Sequence, residues 1–263
     1  MEIREIRPED HAALVALWHG VFGDPEDYVE TFLRFLPEMG GGVAAFEEGR
    51  PLGAAYMITA LQLREGENSR RCGYLYAVAV RPEARCRGVG AALSRAAAAL
   101  GRKRGAALIC TWPAEPGLYA WYERVLGARC ALYRSCRELK SAPGPAVRPL
   151  DPAAYAQRRE ELLAGRPHLS LEPAAMGFEA VMLGAYGGGL FSVGDGLAAA
   201  CVDGDTAEIH ELLGASDAEA AALGAALGAE TARLWQPAAQ GRPYLSFAPD
   251  ELPRDTVWNL AFD

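Results

Sequence analysis

The sequence predicts an α/β (α+β) protein in which one small mixed fold is present twice in tandem, and three observations carry that expectation. Strand-like and helix-like segments succeed one another through residues 1–139. A proline- and glycine-bearing stretch, Leu139-Lys140-Ser141-Ala142-Pro143-Gly144-Pro145-Ala146, follows and reads as a linker. The order of glycines, hairpin, strand and helix then returns in weaker form. The expected domains are 1–140 and 146–263, and 263 residues with 51% hydrophobic side chains suffice for two cores without disulfides or metals.

Taken in order, residues 2–6 alternate as a strand, and a helix opens near Pro8. A second helix opens at Asp24-Pro25-Glu26, where Asp24 can cap and Pro25 suits the first helical position. Gly40-Gly41-Gly42 leads into a hairpin of Val43–Glu47 and Leu52 to about Leu63, turning at Glu48-Gly49-Arg50-Pro51. Tyr74–Val80 is β-prone and runs into an Ala-rich helix that places Val89, Leu93, Ala96 and Leu100 on one face. A strand at 106–111, a helix around 116–126 and a strand at 130–139 complete the first domain.

In the second half, Val147-Arg148-Pro149-Leu150-Asp151-Pro152 resembles Ile3–Asp10 as a strand leading into a helix, and Gly187-Gly188-Gly189 with its hairpin parallels residues 40–57. Ala207–Leu213 then stands where Tyr74–Val80 stood, followed by an Ala-rich helix at 217–228 and a strand at 230–235. The apolar run Val257–Phe262 is expected as a strand sealing an internal or a subunit interface.

Composition narrows the function. The formal charge of −8 is uneven, with residues 1–140 at +2 and residues 141–263 at −10. So acidic a chain is a poor nucleic-acid binder, since that affinity comes from neutralised phosphates. The first half is instead expected to take an anionic ligand and the second to face solvent or a cationic partner. The charged start is unlike a secretion signal, and no apolar run approaches the roughly 20 residues of a membrane span. The six cysteines lack zinc or disulfide spacing. The four histidines lack metal-binding spacing. The expectation is a cytoplasmic protein with reduced thiols, no metal and no membrane partner, existing as a monomer or homodimer.

Arg85-Cys86-Arg87-Gly88-Val89-Gly90 carries the chemistry. A strand that ends in closely spaced glycines and opens into a helix aims unpaired N–H groups at one point, which suits phosphate or pyrophosphate. Ala91-Ala92 stand where a nucleotide hydrolase loop would have lysine and a hydroxyl, and the third glycine of a dinucleotide loop is missing.

These residues match the R-x-x-G-x-G/A signature, and with Ala77-Val78-Ala79-Val80-Arg81-Pro82 before them the first domain resembles the GCN5-related N-acetyltransferase (GNAT) superfamily. The resemblance implies a mainly antiparallel acetyltransferase-type sheet flanked by helices, acetyl-CoA as acetyl donor and an amine as acceptor. It implies that the amides of Arg87, Gly88, Val89, Gly90 and Ala91 hold the pyrophosphate, with Arg85 and Cys86 in the same loop. The edge of Val78, Ala79 and Val80 would pair with the pantetheine arm, the amide near Val80 polarising the thioester. Trp121-Tyr122-Glu123-Arg124-Val125-Leu126-Gly127-Ala128 is similar to the family's tyrosine helix, which makes Tyr122 the candidate acid for the departing thiolate, with Tyr119 as the alternative. Gly127 follows the tyrosine by five residues where the family more usually has four.

Tyr74-Leu75-Tyr76-Ala77-Val78 lacks the carboxylate that family members often place there as a base, leaving water to Tyr76, a group from another domain, or a partly neutral acceptor. The second-domain strand carries Glu208, His210 and Glu211, of which Glu208 and Glu211 are expected on a solvated face. The loop after it, Gly214-Ala215-Ser216-Asp217-Ala218-Glu219, has no arginine signature, so one donor site and a degenerate second domain are expected. Asp24, Glu26, Asp27 and Glu30 favour a cationic small-molecule or peptide amine. The rival reading is a non-catalytic acyl-CoA sensor or scaffold, and a nucleotide-binding protein is a weaker third.

Overall fold

The first half of the chain builds its elements much as its local chemistry dictates. β1 (Glu2–Glu5) is followed by a short 3-10 turn beginning at Pro8 and by α1 (His11–Phe22), which stops at Gly23 in the left-handed conformation, φ 82°. α2 (Glu26–Met39) begins behind Pro25, which takes the capping position itself. Asp24 does not cap, contrary to expectation; its carboxylate accepts the Trp18 indole N–H at 2.7 Å. β2 (Gly40–Glu47) and β3 (Arg50–Glu65) form the hairpin, and the glycine triplet lies inside β2. A Cβ on Gly40 would fall 2.1 Å from the Met57 carbonyl oxygen, so close strand approach explains the glycine there. β4 (Asn68–Val80), α3 (Val89–Lys103), β5 (Leu108–Thr111), α4 (Pro116–Leu126) and β6 (Arg129–Cys130) follow.

β7 (Tyr133–Lys140) and β8 (Val147–Pro149) lead to α5 (Pro152–Leu163), capped by the Asp151 carboxylate on the Ala154 amide at 2.9 Å. β9 (His168–Leu171), α6 (Pro173–Ala185), β10 (Gly189–Val193), β11 (Gly196–Asp203) and β12 (Thr206–Leu213) come next. α7 (Asp217–Ala226), β13 (Thr231–Ala238), β14 (Arg242–Pro243) and β15 (Ser246–Ala248) complete the order. This computed structural model describes residues 1–130, 132–248, 252, 253, 255–260 and 262.

Two sheets result. The first runs β1-β2-β3-β4-β5-β15-β6 and the second β14-β7-β13-β12-β11-β10-β8. In each, the central pair is parallel, β4 with β5 and β12 with β13, and the other registered neighbours are antiparallel. The strand beyond each parallel pair comes from the other half of the sequence. Ser246–Ala248 pairs with β5 and β6, while Tyr133–Lys140 pairs along β13 from Thr231↔Lys140 to Ala238↔Tyr133.

The compact units are therefore discontinuous: described residues of 1–62, 70–131 and 245–251 form one, and those of 63–69, 132–244 and 252–263 the other. This corrects three sequence expectations. The strand at 130–139 does not complete the first sheet, and the expected linker lies between β7 and β8 within the second unit. The run Val257–Phe262 makes only the isolated bridge Val257↔His168 among its described residues, although Val257, Trp258, Leu260 and Phe262 are buried. Alternating apolar residues fit any open sheet edge, and only the assembled sheet chooses among them.

The repeat read from the sequence survives at the level of backbone contact. Gly188 in the second unit repeats the close approach of Gly40, a Cβ there falling 1.9 Å from the Ala200 carbonyl oxygen.

In the first unit, Leu75, Val89, Leu93, Leu100, Ile109, Tyr122 and Ala248 belong to one core cluster. The second unit has a core of Val193, Ala198, Ile209, Leu223, Ala232 and Leu234. Beside it lies a buried charge network: Arg159 donates to both Glu211 carboxylate oxygens at 2.9 and 3.1 Å, and the Tyr155 hydroxyl donates to Glu211 at 2.8 Å. Burial above all, and then the Glu211 charge, hold the Tyr155 phenol well above its ordinary value. The expected solvated face of Glu208 and Glu211 is thus overturned at Glu211, which is 0% exposed. Glu208 receives Arg233 and, at 2.8 Å, the Trp235 indole. Glu211→Ala would leave Arg159 buried without its carboxylate, an expected loss of about 3–5 kcal/mol measurable by urea unfolding.

Candidate active site

The strand-to-helix turn at residues 81–89 is shaped by three local choices. Pro82 starts a 3-10 turn, Pro82–Ala84, from which the chain passes through left-handed conformations at Cys86 (φ 60°) and Gly88 (φ 78°). A Cβ on Gly88 would meet nothing within 4 Å, so backbone angle rather than space requires glycine. Cys86 adopts the same region against its side chain's preference, the kind of strain that clusters at ligand clamps.

The first intrahelical bond of α3 is Ala92 N–H to Gly88 C=O at 3.1 Å. The amides of Val89, Gly90 and Ala91 therefore sit in the first turn, where a helix has no internal acceptor for them. An open hollow of about 240 Å³ lies here, lined by Val80, Ala84, Arg85, Cys86, Gly88, Val89, Gly90, Ala91 and Trp121. A Cβ on Gly90 would stand 3.6 Å from Val80 and 3.7 Å from Trp121, so an added methyl fits the protein but fills the hollow.

Most of the loop residues expected to act together do meet there. Arg87 does not line the hollow; its guanidinium reaches back to Glu47 at 2.8 Å. Arg85 donates to the Val80 carbonyl at 3.3 Å. Val78 and Val80 pack against the α3-side core, and Ala79 is buried. Trp121 was missed by the sequence reading, and its only signal was its place beside Tyr122 in the tyrosine-helix resemblance.

β4 and β5 share only a short parallel ladder. Their parallel register runs Cys72↔Leu108, Gly73↔Ile109 and Tyr74↔Cys110, and at the next residue the Thr111 hydroxyl donates to the Leu75 carbonyl at 3.1 Å. Beyond it Ala77 has φ 47°, a left-handed alanine inside β4. No sequence signal marks that alanine.

Tyr122 sits on α4 at 7% exposure, its ring edge-on to Trp121 with centroids 4.8 Å apart. Burial raises its phenol above the ordinary value, and a hydrogen bond with Thr111 works against that rise. The same Thr111 whose hydroxyl bonds the Leu75 carbonyl just past the β4–β5 ladder thus engages Tyr122. Gly127, five residues on, is left-handed at φ 70° and ends α4. Tyr119, one turn earlier, is half-buried.

Opposite, across β4, lies an aromatic group. The Trp18 ring centroid is 5.1 Å from Phe32, 5.2 Å from Tyr56, 5.9 Å from Tyr76 and 6.1 Å from Tyr28. The Tyr28 and Tyr76 hydroxyls are 2.6 Å apart. Nothing in the sequence pattern joined these two residues.

In the second unit the helix start equivalent to α3 is already occupied. The Ser216 hydroxyl accepts the Ala218 amide at 3.2 Å, and Glu219 accepts the Ser216 amide at 2.9 Å. Those hydrogen bonds from Ser216 hold the Glu219 carboxyl below its usual range, placing an internal anion where an external one would bind. Among the described residues no group of three or more His, Cys, Asp or Glu could hold a metal ion. No helix among them is long and apolar enough to cross a membrane.

Residues 2–123 match the family model of the acetyltransferase (GNAT) domain. The chain as a whole has two mostly antiparallel sheets flanked by helices. A GCN5-related N-acetyltransferase from Kribbella flavida superposes with TM-score 0.68 at 19% identity, over 94% of this chain and 70% of that one. One from Anabaena variabilis gives 0.69 at 12% identity, over 94% and 72%. Eis1 from Mycobacterium abscessus gives 0.62 at 17% identity, over 92% of this chain and 66% of Eis1. Identities this low show the fold alone. No curated protein matches the chain.

Proposed function

We propose that the protein is an N-acetyltransferase that moves the acetyl group of acetyl-CoA directly to a primary amine, using one donor site in the first unit. The observation that carries the reading is the open hollow lined by Val80, Arg85, Cys86, Gly88 and the first-turn residues of α3. First-turn amides of α3 suit a pyrophosphate, and the β4 edge at Val78–Val80 suits an extended amide-bearing arm. A backbone amide there would face the oxyanion that develops on the thioester carbonyl. The side chain of Arg87 takes no part in this reading; its backbone does.

Tyr122 is the proton donor to the departing thiolate. Its raised phenol stays protonated through the neutral range, as an acid must before the reaction. Tyr122→Phe is expected to lower kcat about 100-fold while leaving acetyl-CoA binding intact, read by thiol release alongside thermal shift. An unchanged kcat would remove Tyr122 from the mechanism and turn attention to Tyr119. The acceptor approaches from the side of Asp24 and Tyr28, where carboxylates and aromatic rings favour a cationic amine. The overall test is stabilisation by acetyl-CoA but not by ATP or NAD, followed by thiol release with primary amines. Stabilisation without release on any amine would favour the sensor reading.

A further inference from the structure

An ammonium must lose a proton before it attacks, and β4 has no carboxylate to receive it. What β4 offers instead is Tyr76, two residues before Val78. Its ring stacks toward Phe32 at 5.4 Å and Tyr74 at 5.8 Å, on the face away from the core that holds Leu75 and Val78. Its hydroxyl lies 2.6 Å from that of Tyr28, in the first turn of α2, so one phenol donates to the other. Both residues are partly exposed, whereas Trp18, Phe32 and Tyr56 behind them are buried at 2% or less. Asp24, fixed by the Trp18 indole, stands at the entrance.

We propose that the Tyr76–Tyr28 pair is the path by which the acceptor's proton leaves. This rests on the N-acetyltransferase reading above. The Tyr76 oxygen takes the proton as the N–H bond breaks, Tyr76 passes its own proton to the Tyr28 oxygen, and Tyr28 releases its proton to water beside Asp24. Each phenol ends with one proton, and the amine ends with its lone pair free. No phenolate is formed, which matters because burial first, and then the charges of Tyr28, Tyr74 and Asp24, oppose ionisation of Tyr76. The titratable groups that act on the pair are Tyr74 on β4 and Asp24 between α1 and α2. Tyr76 touches the amine; Tyr28 is a positioning residue that acts through it.

The test uses the full chain with acetyl-CoA and two primary amines, n-pentylamine, which is strongly basic, and trifluoroethylamine, which is largely unprotonated at neutral pH. In Tyr28→Phe, kcat/KM at pH 7 is expected to fall about tenfold or more for pentylamine and to change little for trifluoroethylamine. The pentylamine pH profile should shift upward toward that amine's own pKa, and added imidazole should restore part of the rate. Tyr76→Phe should behave alike, and both variants should keep the acetyl-CoA thermal shift. Equal losses for the two amines, or an unmoved pH profile, would reduce the pair to a structural clasp and overturn the proposal. Acetyl-CoA binding with no thiol release from either amine in the wild type would overturn the transfer reading itself, and the relay with it.

Discussion

Gly88→Glu is expected to abolish stabilisation of the protein by acetyl-CoA. A ligand at a hundredfold excess over its dissociation constant stabilises the native state by about 2.7 kcal/mol, so the wild type should show a clear shift. Gly88 sits at φ 78° at the start of α3, and a side chain there points into open space on the rim of the hollow. Glutamate would bring a carboxylate to the helix end that is meant to receive a pyrophosphate, satisfying its amides from within as Glu219 does at the start of α7. The backbone cost is about 1 kcal/mol, small beside the ligand effect. Gly88→Asn separates the causes, because asparagine tolerates the left-handed region and carries no charge. It should retain most of the shift. A full shift in Gly88→Glu would place the donor elsewhere and leave residues 85–90 as a structural turn.

Truncation after Tyr244 should unfold the first unit. Ser246, Phe247 and Ala248 are buried and pair with Thr111, Cys110 and Ile109 on one side, while Ser246 and Phe247 pair with Cys130 and Arg129 on the other. Their removal opens the sheet beside Thr111, the residue that ends the β4–β5 ladder and engages Tyr122. The milder Phe247→Ala should cost about 3–5 kcal/mol, a large part of a domain's stability of about 5–15 kcal/mol. Urea unfolding followed by tryptophan fluorescence measures the loss. The truncated chain should also lose the acetyl-CoA shift although residues 85–91 are unchanged in sequence. A truncated protein that still responds to acetyl-CoA would show that the first unit closes its sheet without this strand.

Much of the donor site was legible because its signals are local. Gly88 is demanded by one backbone angle, the apolar spacing of α3 by one helix face, and Gly127 by one helix end. Those constraints act between residues a turn or two apart, and a sequence displays them directly. That the Arg87 side chain turns to Glu47 was not legible, because this partner is 40 residues away. Asp24 looked like a cap because the dipeptide Asp-Pro favours one, yet the Trp18 indole claims it. Glu211 looked solvated because strand alternation cannot reveal that Arg159, 52 residues earlier, meets it in the interior.

By itself, then, the sequence determined the element order, the repeat, the phosphate-type turn at residues 85–91 and the acetyltransferase resemblance, all consequences of near-neighbour sterics, periodicity and helix-end chemistry. The tertiary structure alone decided which sheet each late strand enters, that Ala77 is left-handed within β4, that Thr111 links the Leu75 carbonyl to Tyr122, and that Tyr28 meets Tyr76. These depend on pairings between distant residues, in which several partners satisfy the same local pattern and only the packing and hydrogen bonding of the whole assembly separates them.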